Sequence, residues 1–158
     1  MFYDVIDSPI GTLTIATDGA HITELHIEED RYFTKTPTNW TRNTEHPLLL
    51  QAKQELQEYF IGKRKTFDVP LRAQGTDFQK QVWKALETVP LGFTTTYSKI
   101  AAVVSKPKAV RAVGTAIGKN PICIMVPCHR VLATNGSLGG FVAGTERKQS
   151  LLTLEHAI

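Results

Sequence analysis

The sequence predicts an α/β N-terminal part followed by a mainly α-helical C-terminal part. Short stretches alternating between apolar and polar residues fill positions 2–27, and one amphipathic helix follows from Leu48. Beyond residue 76 the apolar spacing is helical in several separate runs. A chain of 158 residues, 42% hydrophobic and 21% charged, can form one ordinary domain or two small ones sharing an interface.

Residues 2–6 read as a strand, and Ser8-Pro9-Ile10-Gly11 has the composition of a turn. Leu13 and Ile15 alternate with Thr12, Thr14 and Ala16, the pattern of a half-buried strand. Asp18-Gly19 marks another turn, after which Ile22, Leu25 and Ile27 suggest a third strand. Residues 29–46 are polar and irregular, and Pro37 blocks a helix there. Leu49, Ala52, Leu56, Tyr59 and Phe60 share a helical face that ends at Gly62. Phe67–Leu71 suggests a returning strand and Arg72–Gly75 a linker, so domains of residues 1–74 and 75–158 are expected.

The second half opens with a capping box, Thr76 with Gln79 three residues on. Phe78, Val82, Trp83, Leu86 and Val89 then form an apolar stripe that stops at Pro90 and Gly92. A short helix is predicted over about Ser98–Val104, and another from Pro107 to about Lys119, where proline suits a first turn. Separated by Ser105-Lys106, the pair resembles a helix-turn-helix. Val110, Val113, Ala116 and Ile117 give the second helix its apolar face; Lys108, Arg111, Thr115 and Lys119 form another. That second face fits a phosphate-binding surface and a merely solvated one about equally, though no acid interrupts it. Ile122–Val126 reads as an apolar strand ending at Pro127-Cys128-His129-Arg130-Val131. Asn135-Gly136 marks a tight turn, and Gly139-Gly140 and Gly144 a glycine-rich loop. Thr145 is placed to cap a last helix, on which Lys148, Leu151, Leu152 and Glu155 share a face.

Charge is divided unevenly. Residues 1–75 hold 8 Lys and Arg against 11 Asp and Glu, a net of −3, whereas residues 76–158 hold 10 against 4, a net of +6. A basic C-terminal half suits a polyanionic partner, with the acidic half facing away, but ordinary solvated surface has the same composition. Two cysteines make no disulfide framework, and the chain shows neither a secretory signal nor an apolar stretch long enough to span a bilayer. A reducing, cytoplasmic compartment is the expectation. The five scattered histidines have no metal-ligand spacing, and no P-loop or dinucleotide fingerprint occurs, so no metal or cofactor is expected.

Cys128 is the candidate nucleophile. A cysteine attacks as thiolate, which needs a nearby cation, a base or a helix N-terminus; His129 and Arg130 follow it directly and Pro127 fixes the backbone before it. The same residue could be a small buried hydrophobe, the reading that Cys123 receives among Ile122, Ile124 and Met125. Neighbouring side chains point apart, so His129 is expected to act through a water. Glu155 either reaches His129 to complete a cysteine–histidine–acid relay or stays at the rim of its helix.

Taken together, Asn120-Pro121 and Pro127-Cys128-His129-Arg130-Val131 closely resemble the O6-alkylguanine-DNA alkyltransferases, the methylated-DNA–protein-cysteine methyltransferases. Further matches are Phe78…Gln81-Val82-Trp83, Tyr97-Ser98…Ile100-Ala101, Ala109-Val110-Arg111-Ala112-Val113-Gly114 and Glu146-Arg147-Lys148…Leu151-Leu152…Glu155. They cover nearly all of residues 76–158 in order, while the N-terminal part fits more loosely. The resemblance implies a ribonuclease-H-like α/β domain, then a helical domain with a winged-helix-like helix-turn-helix. It implies single-turnover DNA repair, moving the alkyl group of O6-alkylguanine in double-stranded DNA onto Cys128 after nucleotide flipping. O4-alkylthymine is a further candidate substrate. His129 is then the base, Glu155 its orienting acid, Asn120 the hinge, and Tyr97 the residue beside the flipped guanine. Backbone groups of Cys128, Val131 and Val142 read the base, and Lys148 supports the active-site loop. Arg111 fills the vacated stack, with Lys108, Thr115, Lys119 and Arg130 as further DNA contacts. A monomer is implied, cooperative assembly on DNA being left open.

The sequence departs from the family in two places. Phe141-Val142-Ala143-Gly144 stands where relatives commonly carry Tyr-Ser-Gly-Gly, and Cys123 where some have proline. These bear on rate and on tolerance of bulky alkyl groups. The cysteine zinc ligands of some relatives' N-terminal domains have no counterpart. Two other classes stay in view: a non-enzymatic alkylated-DNA-binding protein, disfavoured by the presence of Cys128, and a cysteine-dependent hydrolase or transferase of small molecules.

Overall fold

The computed structural model describes residues 1–158. Its N-terminal part is a four-stranded sheet of β1 (Phe2–Ser8), β2 (Gly11–Thr17), β3 (Ile22–Ile27) and β4 (Thr41–Arg42), ordered β3-β2-β1-β4. The first three strands form the expected antiparallel meander, Asp4 facing Ile15 and Leu13 facing Ile27. The two-residue β4, parallel to β1, lies in the stretch expected to be irregular. A buried charge draws it in: Asp4 accepts from Arg42 Nε at 3.1 Å and from Lys53 Nζ at 2.9 Å. Lys53 belongs to α1 (Pro47–Phe60), which presses Leu49, Ala52 and Leu56 onto the sheet.

Phe67–Leu71 is not a strand; only Leu71 bridges to Ile22, and Glu55 Oε1 takes up the N–H groups of Asp68 and Val69. The capping box opens α2 (Asp77–Leu86) as expected, with Gln79 N–H donating to Thr76 Oγ1 at 3.1 Å and Thr76 N–H to Gln79 Oε1 at 2.9 Å. After β5 (Thr95–Thr96) come α3 (Tyr97–Val103) and α4 (Val110–Gly118). The second of these starts three residues later than the proline signal suggested, leaving Pro107 and Lys108 in the connecting turn. Trp83 Nε1 donates to the Ala116 carbonyl at 2.8 Å and so fixes α2 against α4.

Ile122–Val126 is likewise not a strand. It touches the edge of β3 once, through Leu25 N–H to Pro121 O and Cys123 N–H to Leu25 O, then folds back so that Val126 N–H reaches Ile122 O. A turn through Ile124 at φ +73° produces this reversal. A 3₁₀ turn over Cys128–Arg130 leads into β6 (Val131–Leu132), parallel to β5. The last helix, α5 (Thr145–Leu154), is capped one residue earlier than expected: Gly144 is its N-cap at φ +92°, and Thr145 is already helical. One continuous core runs through both parts, from Leu13 and Leu56 to Val82, Val131 and Leu151.

Candidate active site

Cys128 opens the 3₁₀ turn at the floor of a cleft of about 430 Å³. Tyr97, Arg111, Phe141 and Val142 also line this cleft, as do Arg31 and Tyr32 from the loop after β3. Asn120 holds the preceding turn closed, its Nδ2 donating to Val126 O at 2.8 Å and its Oδ1 accepting from Ile122 N–H at 3.0 Å. That clasp fixes both ends of the segment leading to the sulfur. The adjoining Cys123 thiol does most to lower the Cys128 pKa; burial opposes the shift, while Asn120 and the Lys148 cation lower it further. Cys123, expected to be buried packing, is fully buried with its thiol 3.9 Å from Asn120 O, and the neighbouring Cys128 and burial together raise its own pKa.

His129 is fully buried, and its Nε2 lies 2.7 Å from Glu155 Oε2. Burial lowers the His129 pKa, and Glu155 only partly opposes this, so the ring is neutral near pH 7. Glu155 in turn is held at a pKa of about 2; burial works against this, and hydrogen bonds from His129, Arg130 and Tyr59 outweigh it. An ionised acid can only accept, which assigns the proton to Nε2 and leaves Nδ1 a bare base. Nδ1 is buried and has no hydrogen-bond partner. The relay between His129 and Glu155 is therefore present, and the acid is at the C-cap of α5, not on a solvated rim.

Arg130 does not face solvent. Its Nε and Nη2 donate to Glu155 at 2.8 and 3.1 Å and its Nη1 to Val89 O at 2.7 Å, so every guanidinium nitrogen is engaged inside the fold. This replaces its expected role as a DNA contact: the buried acid demanded a cation. Lys108, Arg111, Thr115 and Lys119 are exposed.

Lys148 is fully buried, with Nζ donating to Val131 O at 2.6 Å and to Gly140 O at 3.1 Å. It thus ties the strand after the nucleophile to the glycine-rich loop, and burial lowers its pKa to about 8, with Cys128 opposing. Val131 itself is buried and off the cleft wall, its N–H bonded to Cys128 O and its carbonyl engaged by Lys148. Val142 lines the cleft, and its N–H has no acceptor in the protein. Gly139, at φ +72°, passes so close to Tyr97 that a Cβ would sit 3.3 Å from the ring. Sequence reasoning missed Tyr59, Arg31 and Tyr32. The first was legible only as a helix-face apolar residue, and the other two fell in the irregular stretch.

A cysteine with a lowered pKa, a buried histidine–carboxylate pair behind it and a cleft open at the front define a protein that uses a cysteine nucleophile. The family described as 6-O-methylguanine DNA methyltransferase, DNA binding domain, matches residues 77–157, and its ribonuclease-like domain matches residues 1–73. The methylated-DNA–protein-cysteine methyltransferase of Methanosarcina mazei is 46% identical over 155 residues, covering 98% of this chain and 97% of that one. The constitutive enzyme of that name from Bacillus subtilis is 46% identical over 158 residues, covering 98% and 94%. The crystal structure of Mycobacterium tuberculosis OGT in complex with DNA superposes with a TM-score of 0.92 at 45% identity, over 99% of this chain and 94% of that one. The chain belongs to the 6-O-methylguanine DNA methyltransferase family. Its architecture is that family's N-terminal domain joined to a helical C-terminal domain.

Proposed function

We propose that the protein repairs DNA directly, taking the alkyl group of O6-alkylguanine in double-stranded DNA onto Cys128 in one irreversible event. The observation that carries this reading is the buried His129–Glu155 pair behind a cysteine that opens into a nucleobase-sized cleft. The alkyl carbon of such a lesion lies inside a base stack, so the nucleotide is turned out into the cleft before the sulfur reaches it. His129 Nδ1 takes the thiol proton through a water, and Glu155 holds the imidazolium that results. The thiolate forms a bond to the alkyl carbon, the carbon–O6 bond breaks, and its electron pair stays on guanine. The Val142 N–H and a returned proton stabilise that charge. The product is a thioether, which no group in the site hydrolyses, so each molecule acts once.

The α3–α4 pair serves as a helix-turn-helix in this reading, with Lys108, Arg111, Thr115 and Lys119 facing the duplex and Arg111 filling the vacated stack. Asn120 acts as the hinge and Tyr97 lies against the turned-out base. The domains are residues 1–74 and 75–158, and the protein works as an intracellular monomer on DNA. No helix is long and apolar enough to cross a membrane.

The test is intact-protein mass spectrometry after incubation with a duplex containing O6-methylguanine. One methyl gained per molecule, absent in Cys128→Ala, is the expected result. Multiple turnovers, or no gain by the folded protein, would overturn it.

A further inference from the structure

The acidic N-terminal half was expected to face away from DNA, yet two of its side chains stand at the mouth of the Cys128 cleft. Arg31 and Tyr32 line it together with Arg111 of α4. They are held there by a built structure. Asp30 accepts from Tyr32 N–H at 2.8 Å through one carboxylate oxygen and meets His26 Nδ1 at 3.2 Å through the other. The buried His26 ring also meets Glu24 at 2.8 Å and stacks on Phe33, centroids 4.0 Å apart. Arg31 N–H bonds to Val142 O at 3.2 Å, which ties this loop directly to the active-site loop.

The acids around Arg31 are already engaged. Glu28 and Glu29 lie 3.8 and 3.5 Å from Arg147, and Asp30 is taken by His26. Arg31 is exposed and has no carboxylate within 4.0 Å; its guanidinium rests 5.7 Å from the centroid of the Tyr32 ring. A cation with unspent donors, braced by an aromatic ring, suits bidentate capture of a phosphate. A nucleotide entering the cleft carries its phosphates past this rim.

We infer that Arg31, supported by Tyr32, is a DNA-contacting residue of the N-terminal domain that binds a backbone phosphate of the turned-out nucleotide at the cleft that Arg111 also lines. This rests on the reading proposed above. Each phosphate contact contributes about −0.9 to the slope of log affinity against log salt for duplex DNA. The measurement is therefore the salt dependence of binding to a duplex containing O6-methylguanine. Every variant is made in a Cys128→Ala background, so that no transfer consumes the lesion.

Arg31→Ala is expected to flatten the slope by about 0.9, so that its affinity deficit shrinks about 3.5-fold between 50 and 200 mM salt. Arg31→Lys keeps the charge and hence the slope, while losing affinity through the missing fork. Lys35→Ala, the same charge change on the same exposed loop but off the cleft wall, keeps the parental slope. An Arg31→Ala slope equal to the parent overturns the inference, as does an equal flattening by Lys35→Ala, which would reduce the effect to net charge. Methyl uptake by the wild-type protein is scored separately. If it fails, the repair reading falls; if it succeeds with an unchanged Arg31→Ala slope, only this inference falls.

Discussion

The phenol of Tyr59 on α1 donates a 2.5 Å hydrogen bond to Glu155 Oε2, the same oxygen that meets His129 Nε2. The N-terminal domain thus reaches through the core to the acid that orients the base. Oε1 and Oε2 together receive Tyr59, His129 and both arms of Arg130, enough to keep a buried carboxylate ionised.

Tyr59→Phe tests how much of this depends on the N-terminal domain. A hydrogen bond to a charged group contributes about 1.5–3 kcal/mol net, and the variant removes one donor while leaving the ring in its packing. Urea unfolding should show a loss in that range. Alkyl transfer should slow only a few-fold, because His129 and Arg130 still hold the acid. A variant as stable as the wild type would mean that Tyr59 merely fills space.

Acid should unfold the protein in two stages. Glu155 has a folded pKa of about 2 against an ordinary 4.5, so the stability it lends is complete above 4.5 and lost as pH falls toward 2. His129 is depressed below 6.5 by burial, so in acid the unfolded chain binds a proton that the folded one refuses, and stability falls below pH 6.5. Lys148 adds a slope of the same sign at alkaline pH: with a folded pKa of about 8 against 10.5, stability rises with pH across that window. Urea midpoints across pH check all three slopes, and Glu155→Gln should flatten the lowest stage. The alkyl-transfer rate should hold on acidification past 6.5 before His129 protonates; a midpoint at or above 6.5 contradicts a buried neutral base.

What the sequence disclosed was what local chemistry fixes. The Thr76–Gln79 box, the β1–β3 alternation and the α1 face depend on residues two to four apart, and each formed as expected. The Pro127–Val131 motif marked the nucleophile because cysteine, histidine and proline are contiguous there. Long-range electrostatics was hidden. Arg130 looked like a surface cation until the acid 25 residues on was seen to claim it. The short β4 exists because Asp4 needs Arg42, 38 residues away. Ile122–Val126 had the apolarity of a strand, but Asn120 and a left-handed Ile124 fold it into a turn. Arg31 lay in a stretch with no periodicity, and only the fold brings it to the cleft.

Lys148 offers the sharpest test of how the thiolate is held. Its Nζ bridges Val131 O and Gly140 O, and its positive charge is one of the influences that lower the Cys128 pKa, after the stronger influence of Cys123 and against burial. Lys148→Met keeps length and apolar packing but removes both the bridge and the charge. The Cys128 pKa should then rise, and with it the thiolate fraction at neutral pH should fall. Iodoacetamide labelling at Cys128 as a function of pH, read by peptide mass spectrometry, gives that titration directly. Transfer from alkylated duplex should fall by at least the same factor, since Gly140 also loses the bond that steadies the loop carrying the Val142 N–H. Stability should change less than either reading, because deleting a buried charge offsets the two carbonyls left without a donor. A variant whose Cys128 titrates as in the wild type but which still transfers slowly would assign Lys148 to loop support alone.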